Sequence, residues 1–184
     1  MILPIVAFGD PVLKKKAVDI GMDYPNLQVL IDNMYQTMRH ASGVGLAAPQ
    51  IGLAIRLFIV DTSTMEDEKV GDFSQVFINA VIEEEKGELW KYNEGCLSIP
   101  GVREDIYRHP NIKLTYYDEQ FVKHSKHFDG VIARIIQHEY DHIEGVLFTD
   151  RISVLRKRVL KNRLAGVSKG IVNVDYKMRF PVKR

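Results

Sequence analysis

Two histidines separated by one helical turn are the feature that most constrains the fold of this chain. They lie in the sequence His138-Glu139-Tyr140-Asp141-His142. On a helix, residues i and i+4 share one face, so both imidazoles can bind the same metal ion. Glu139 follows the first histidine, where it can take a proton from water at that ion. The sequence therefore predicts a helix that carries a metal site.

The helix around this motif is predicted over residues 129–143, with Asp129 as its N-cap and Gly145 after its end. Two histidines in a strongly apolar helix need partners, which favours a metal site over a surface helix with scattered histidines. The apolar face of this helix comprises Val131, Ile132, Ile135, Ile136, Tyr140 and Ile143.

The third ligand must come from the chain before this helix. An extended H-E-x-x-H metalloprotease has a histidine six residues after the second one, but Phe148 stands there. No Glu or His follows Glu144. The best candidate is Cys96, although a lone cysteine is usually a small buried hydrophobe. A Cys/His/His set leaves a fourth position open for water, as in catalytic sites.

A third segment, GVGLAAPQIG at residues 43–52, is predicted to be a helix terminator followed by a tight loop. Its small residues would let a substrate backbone approach closely. The uncharged amide of Gln50 could donate a hydrogen bond to an oxyanion.

Strands in a run, with helices at the ends, predict an α+β fold with a largely antiparallel sheet around the metal-binding helix and a C-terminal helix. The predicted helices cover residues 25–41 and 151–168, besides a short one capped by Asp10. The predicted strands cover residues 57–60, 76–78, 81–82, 112–116 and a stretch ending at Trp90, with a loop over residues 62–74.

Charge divides the chain into two parts. Residues 151–184 hold 11 basic residues and one acidic residue, for a net charge of +10, whereas residues 1–150 carry −9. This asymmetry suggests an anionic partner, and a solvated basic helix is the alternative. The predicted apolar stripe of the C-terminal helix is Ile152, Leu155, Val159, Leu160, Leu164 and Val167, with Arg156, Lys157, Arg158, Lys161 and Arg163 on or beside the opposite face.

The length of 184 residues predicts a single catalytic domain, over residues 1–168, followed by a basic tail at residues 169–184. Because the sequence shows no signal peptide and no apolar run long enough for a membrane span, we expect a cytoplasmic protein without a membrane partner. The single cysteine fits a reducing compartment.

Three segments together resemble the peptide deformylase family: GVGLAAPQIG at 43–52, EGCLSIPG at 94–101 and QHEYDHIEG at 137–145. The start of the chain, residues 9–13, is also similar. The resemblance implies a hydrolase that removes the N-formyl group from the initiator methionine of newly made proteins, with N-formylmethionyl nascent peptides as its partners. It also implies Fe2+ as the metal, one per chain, with Zn2+, Ni2+ or Co2+ as substitutes.

The resemblance also assigns roles to residues. It implies Cys96, His138 and His142 as ligands, Glu139 as the general acid/base, and the Gln50 amide and the Leu97 N–H as oxyanion donors. Gly45 and Glu94 would meet the substrate backbone or organise the site, and Val44, Leu97, Ile135 and His138 would line the methionine pocket.

Two charged residues of the helix need explanation. Arg134 lies one turn before His138, where an apolar pocket wall is expected. If its side chain is directed to solvent, the pocket wall can still be apolar. An unpaired carboxylate at Asp141 on an apolar helix would be costly, and the resemblance implies an arginine after the cysteine motif as its partner, a place that Arg108 fits. An exposed Asp141 without a partner is the alternative.

Two other functions remain open at this point. A metallopeptidase would share the H-E-x-x-H motif but needs a downstream ligand, and an RNA-binding protein without enzymatic activity would explain only the basic C-terminal part. For the enzyme, the basic helix suggests docking on the ribosome through phosphates, without DNA as a partner.

Overall fold

A five-stranded antiparallel sheet forms the centre of the fold. The structure is a computed structural model that describes residues 1–65 and 70–181. In chain order the elements are β1 (Ile5–Val6), α1 (Leu27–His40), β2 (Gly45–Ala47), β3 (Leu57–Asp61), β4 (Ser74–Lys86), β5 (Trp90–Gly95), β6 (Arg103–Arg108), β7 (Asn111–Tyr117), β8 (Lys123–Asp129), α2 (Gly130–Ile143), α3 (Val154–Ser168) and β9 (Met178–Arg179). The sheet has the strand order β2-β3-β4-β7-β8, while β5 pairs with β6 and β1 pairs in parallel with β9.

Helices α1 and α2 cover opposite faces of this sheet, and strand β3 shows why. Its side chains alternate between the faces. Leu57 and Ile59 pack with α1, whereas Phe58 and Val60 pack with α2. A strand buried on both faces has a continuous apolar sequence, as this one does.

Helix α2 lies in the core, and nine of its 14 residues are buried. It begins after Asp129, whose side chain makes no capping hydrogen bond. Beyond its end, Gly145 adopts a left-handed φ of +74°, close against the Lys14 backbone. The predicted fold class is confirmed: α+β, largely antiparallel, around the helix that carries the two histidines.

Strand β4 is one element, although the sequence predicted two strands at 76–78 and 81–82. Its pairing with β7 shifts register between Ile78 and Val81. Asn79 lies there with a φ of +50°, and its side chain bonds the N–H and carbonyl of Ile20 at 3.0 and 2.8 Å. This bulge interrupts the alternation of apolar residues without ending the strand.

Other differences are local. Trp90 begins a strand, where the sequence predicted that one ends. Residues 43–52 contain β2 and a short 3-10 helix (Ala48–Ile51) where a loop was predicted. Strands β6 and β8 were not predicted, because their charged and polar residues are atypical of strands. Part of the predicted loop at 62–74, residues 66–69, lies outside the described residues. The short helix capped by Asp10 is confirmed.

The apolar stripe predicted for α3 is confirmed in part. Leu160, Leu164 and Val167 are buried, but Leu155 and Val159 are 70% and 61% exposed. The two sets lie roughly a third of a turn apart on a helix, so the predicted stripe merged two faces. Only the first face packs on the body of the protein.

The chain after α3 returns to the body of the protein. Ile5 pairs with Met178 and Val6 with Arg179, in parallel. The division of the chain at residue 168 stays a prediction. Among the described residues, no helix has the length and apolarity required to cross a membrane.

Candidate metal centre

The structure brings together the three ligands that the sequence predicted. The candidate ligand atoms of Cys96, His138 and His142 all lie within 4.8 Å of one another. The sulfur of Cys96 is 3.3 Å from Nε2 of His142. One thiolate and two imidazoles suit a borderline-soft divalent ion, and three protein ligands leave a coordination position open.

Local structure explains how these ligands meet. His138 and His142 are one turn apart on α2, with their ring centroids separated by 5.2 Å. Cys96 follows directly after strand β5. It begins a turn that is closed by a hydrogen bond from the Ile99 N–H to the Cys96 carbonyl at 2.9 Å. A local helix and a distant hairpin therefore supply the site together.

A buried carboxylate orients His138. The Nδ1 of His138 donates to Oε2 of Glu94 at 2.9 Å, which leaves Nε2 for the metal. Glu94 also accepts hydrogen bonds from Arg108 at 2.7 Å and from Arg134 at 3.0 Å. Burial alone would raise the pKa of Glu94, but hydrogen bonds from His138 and Arg108 hold that pKa well below its usual range. Glu94 is therefore ionised, and it bonds His138 to two arginines.

The predicted pairing of Asp141 with Arg108 is confirmed. Nη1 of Arg108 donates to Oδ2 of Asp141 at 2.7 Å, and both side chains are buried. Nε of Arg151 donates to the same oxygen at 2.6 Å. Arg108 thus joins Glu94, which contacts a ligand, to Asp141, which lies between the ligands in sequence.

Arg134 is directed inward, so the alternative of a solvent-directed side chain is wrong. Only 2% of it is exposed. Besides bonding Glu94, it donates to the carbonyls of Trp90 at 2.6 Å and Ile106 at 3.0 Å. Its guanidinium lies 4.5 Å from the centre of the Trp90 ring. The buried charge of Glu94 and the hairpin carbonyls draw this side chain into the protein.

Glu139, the residue after His138, has a buried carboxyl group. It is 4% exposed, and its Oε2 makes no hydrogen bond with the described residues. Burial raises the pKa of Glu139 to about 7, against the opposing charge of His138. Gly45 approaches it so closely that a Cβ atom there would lie 2.5 Å from Oε1 of Glu139.

The side-chain amide of Gln50 has a defined orientation. Its Oε1 accepts a hydrogen bond from the Ala47 N–H at 2.8 Å, so its Nε2 faces the other way. That nitrogen lies 3.4 Å from both the Cys96 sulfur and the Ser98 hydroxyl. Gln50 therefore presents N–H groups beside the ligands.

A cleft of ≈ 560 Å³ opens at these groups. Arg134, Tyr92, Val174 and Tyr176 also line it, and no motif indicated the last three. Nearly all the predicted site residues line it, namely Val44, Gly45, Gln50, Glu94, Cys96, Leu97, Ile135, His138 and Glu139, while His142 lies behind them.

An H-E-x-x-H helix with a cysteine and an open cleft defines a metal-dependent hydrolase. The family model described as polypeptide deformylase matches residues 2–158. The chain belongs to the peptide deformylase family. Its activity is the metal-dependent hydrolysis that removes the N-formyl group from nascent peptides.

Individual relatives agree with this assignment. The chain is 56% identical over 190 residues to the peptide deformylase of Christiangramia forsetii, covering 98% of this chain and 97% of the relative. It is 53% identical over 184 residues to that of Cytophaga hutchinsonii, covering 100% of both. The crystal structure of a peptide deformylase from Legionella pneumophila is similar with a TM-score of 0.80 and 33% identity, over 90% of this chain and 94% of that one.

Proposed function

We propose that Cys96, His138 and His142 hold one Fe2+ ion per chain, and that Glu139, Gln50 and Leu97 carry out deformylation around it. The observation that carries this proposal is the convergence of three ligand atoms beside a buried carboxylate at the base of the cleft. Fe2+ follows from the family resemblance, since Zn2+, Ni2+ and Co2+ also suit these ligands.

Glu139 is the proposed proton carrier. When bound, the divalent ion supplies Lewis acidity that polarises a carbonyl and makes water a stronger acid. Glu139 then accepts a proton from the attacking water and donates it to the amine as the formyl C–N bond breaks. The products are formate and a peptide with a free amino group.

Gln50 and the Leu97 N–H are the proposed donors to the developing oxyanion. The orientation of the Gln50 amide supports this role, because its N–H groups face the ligands. Within the described residues, the Leu97 N–H donates to no backbone carbonyl, so it is available to a substrate. One such donor typically contributes ~3–4 kcal/mol to catalysis.

The cleft provides the proposed subsites. Val44, Leu97, Ile135 and His138 would surround the methionine side chain, and Gly45 would allow the peptide backbone to approach. We assign Glu94 to organising His138, because its carboxylate already bonds His138, Arg108 and Arg134.

Metal analysis of anaerobically purified protein, combined with a peptide assay, tests this function. We expect one Fe2+ per chain, turnover of formyl-Met-peptides, and no turnover of the same peptides without the formyl group. Hydrolysis of internal bonds in unformylated peptides would instead support a metallopeptidase.

We also propose that α3 docks the enzyme on the ribosome, in the cytoplasm. Its exposed face carries Arg158 and Lys161 beside the exposed Val154, Leu155 and Val159. Such a cationic surface suits phosphates without base-specific contacts.

Charge reversal tests the docking proposal. Truncation within α3 would also remove its buried face, so the double variant Arg158→Glu/Lys161→Glu is preferable. We expect weaker, salt-sensitive ribosome co-sedimentation and unchanged hydrolysis of a short formyl-peptide. Equal and salt-insensitive binding by both proteins would leave α3 a solvated charged face.

A further inference from the structure

The C-terminal segment, residues 171–181, packs on the surface of the protein and contains the short strand β9. Along residues 171–180, odd-numbered residues are exposed and even-numbered residues are partly buried, the alternation of a strand on a surface. The N–H of Ile5 donates to the Lys177 carbonyl at 2.8 Å, and that of Ala7 to the Arg179 carbonyl at 2.9 Å. The start of the chain therefore holds this segment in place.

This segment reaches the cleft. Val174 and Tyr176 both line it. The hydroxyl of Tyr176 donates a hydrogen bond to the carbonyl of Leu97 at 2.8 Å. Leu97 follows the ligand Cys96 directly, so a residue near the chain's end touches the turn that carries a metal ligand.

Both ends of the chain hold the turn at residues 96–99. From the start of the chain, the Phe8 N–H donates to the Ser98 carbonyl at 2.9 Å. From the other end, Tyr176 binds the preceding carbonyl, that of Leu97. Two successive carbonyls of the turn thus accept hydrogen bonds from the two ends of the chain. Strands β1 and β9 pair these two ends with each other.

We propose that Tyr176 is a positioning residue for deformylation, whose hydroxyl holds the Leu97 carbonyl so that the Leu97 N–H stays directed at the developing oxyanion. This inference rests on the donor role proposed for Leu97. The Leu97 N–H shares a peptide plane with the Cys96 carbonyl, which the Ile99 N–H holds, and the Leu97 carbonyl lies in the next peptide plane, which Tyr176 holds. With both planes held, rotation about the bonds of the Leu97 Cα atom is limited. Donors held in place before the reaction stabilise a developing charge without a reorganisation cost.

The chemistry of Tyr176 fits this role. Burial, followed by the negative charges of Cys96 and Asp175, raises the pKa of Tyr176 above its usual value. The hydroxyl therefore stays protonated at neutral pH and remains a donor. Tyr176 lies two residues before β9 and lines the cleft.

Replacing Tyr176 by Phe tests the inference, because only the hydroxyl is removed. We expect Tyr176→Phe to lower kcat on a formyl-Met-peptide by about three- to tenfold, which corresponds to one net hydrogen bond. KM should stay within about twofold, with unchanged metal content and Tm, because packing of the ring is preserved. The matched control is Tyr107→Phe, which removes a hydroxyl from a residue that is 59% exposed on β6 and should leave kcat unchanged.

A Gln50→Ala variant separates this inference from the proposed function. We expect it to lower kcat by about 10²–10³-fold, as the loss of an oxyanion donor does. If Gln50→Ala has that effect but Tyr176→Phe leaves kcat unchanged, the positioning role is wrong and the proposed oxyanion site stands. If Tyr176→Phe reduces turnover only in proportion to lost metal or lost folded protein, Tyr176 is structural and the inference is also overturned.

Discussion

Helices α2 and α3 have similar lengths but differ in what constrains their sequences. Nine of 14 residues are buried in α2, against three of 15 in α3. In α2 even Arg134 and Asp141 are buried and bonded to other segments, whereas α3 directs most of its cations to solvent. The side chains of α2 are therefore determined by the protein's own interior and chemistry. The exposed face of α3 is free to suit a partner, so changes in the two helices should have separable effects.

The largest effect is expected from removing the ligand that α2 does not supply. Cys96→Ala should lose metal and turnover together, because two histidines alone bind a metal ion weakly. Metal content and formyl-peptide turnover, measured on the same preparation, check this. On α3, Arg158→Glu should leave both unchanged. A Cys96→Ala protein with stoichiometric metal and normal turnover would remove Cys96 from the site.

The second largest effect is expected from breaking the buried ion network beneath α2, and it should appear as a loss of stability. Arg108→Met leaves Glu94 and Asp141 with fewer partners in the interior, and we expect the free energy of unfolding to fall by about 3–5 kcal/mol. Chemical denaturation at neutral pH measures it. Arg156→Met on α3 removes an arginine whose partner is Glu104 but whose side chain is half exposed, so its effect should be much smaller. Equal losses for the two variants would contradict the contrast between the helices.

Adding one methyl group to a glycine also tests the contrast between the two helices, because Gly45 contacts Glu139 of α2 and Gly166 lies in α3. Gly45→Ala places a Cβ atom 2.5 Å from the Glu139 carboxylate, so that carboxylate must move. We expect kcat to fall by up to about 100-fold while metal stays bound, as for displaced catalytic groups generally. In α3, a Cβ at Gly166 meets nothing closer than 3.8 Å, and Gly166→Ala should stabilise the helix by about 0.5–1 kcal/mol. Normal turnover by Gly45→Ala would show that Glu139 need not hold its position.

The smallest effect is expected on the outer face of α3. Leu155→Ala should change the free energy of unfolding by no more than about 0.5 kcal/mol, because the side chain is 70% exposed. Leu164→Ala, on the buried face of the same helix, should cost about 2–5 kcal/mol. Thermal or chemical denaturation distinguishes them. A similar loss of unfolding free energy for both variants would instead support the single apolar stripe that the sequence predicted.

Features that depend on residues close together in the sequence could be predicted, and features that depend on distant segments could not. The spacing of His138 and His142 is a property of one helix. The cost of an unpaired Asp141 indicated a cationic partner, and the family resemblance pointed to Arg108. The direction of Arg134 was not predictable, because it depends on where a distant hairpin places Glu94.

Two further features depend on contacts that no local pattern records. The role of Tyr176 arises only when the end of the chain pairs with its start. The exposure of Leu155 depends on which of two apolar faces of α3 meets the body of the protein. The pattern within α2 therefore predicted two ligands and Glu139, and elimination and the family resemblance added Cys96 and the other site residues. Long-range packing determined their surroundings.

The most direct test of the account is the turnover of Glu139→Gln with its metal content measured on the same sample. The amide keeps the shape of the side chain but cannot accept a proton. We expect one divalent ion per chain and a loss of formyl-peptide turnover of about 10²–10⁴-fold. Near-normal turnover with the ion bound would contradict the central claim, that a buried carboxylate on α2 carries the proton of deformylation.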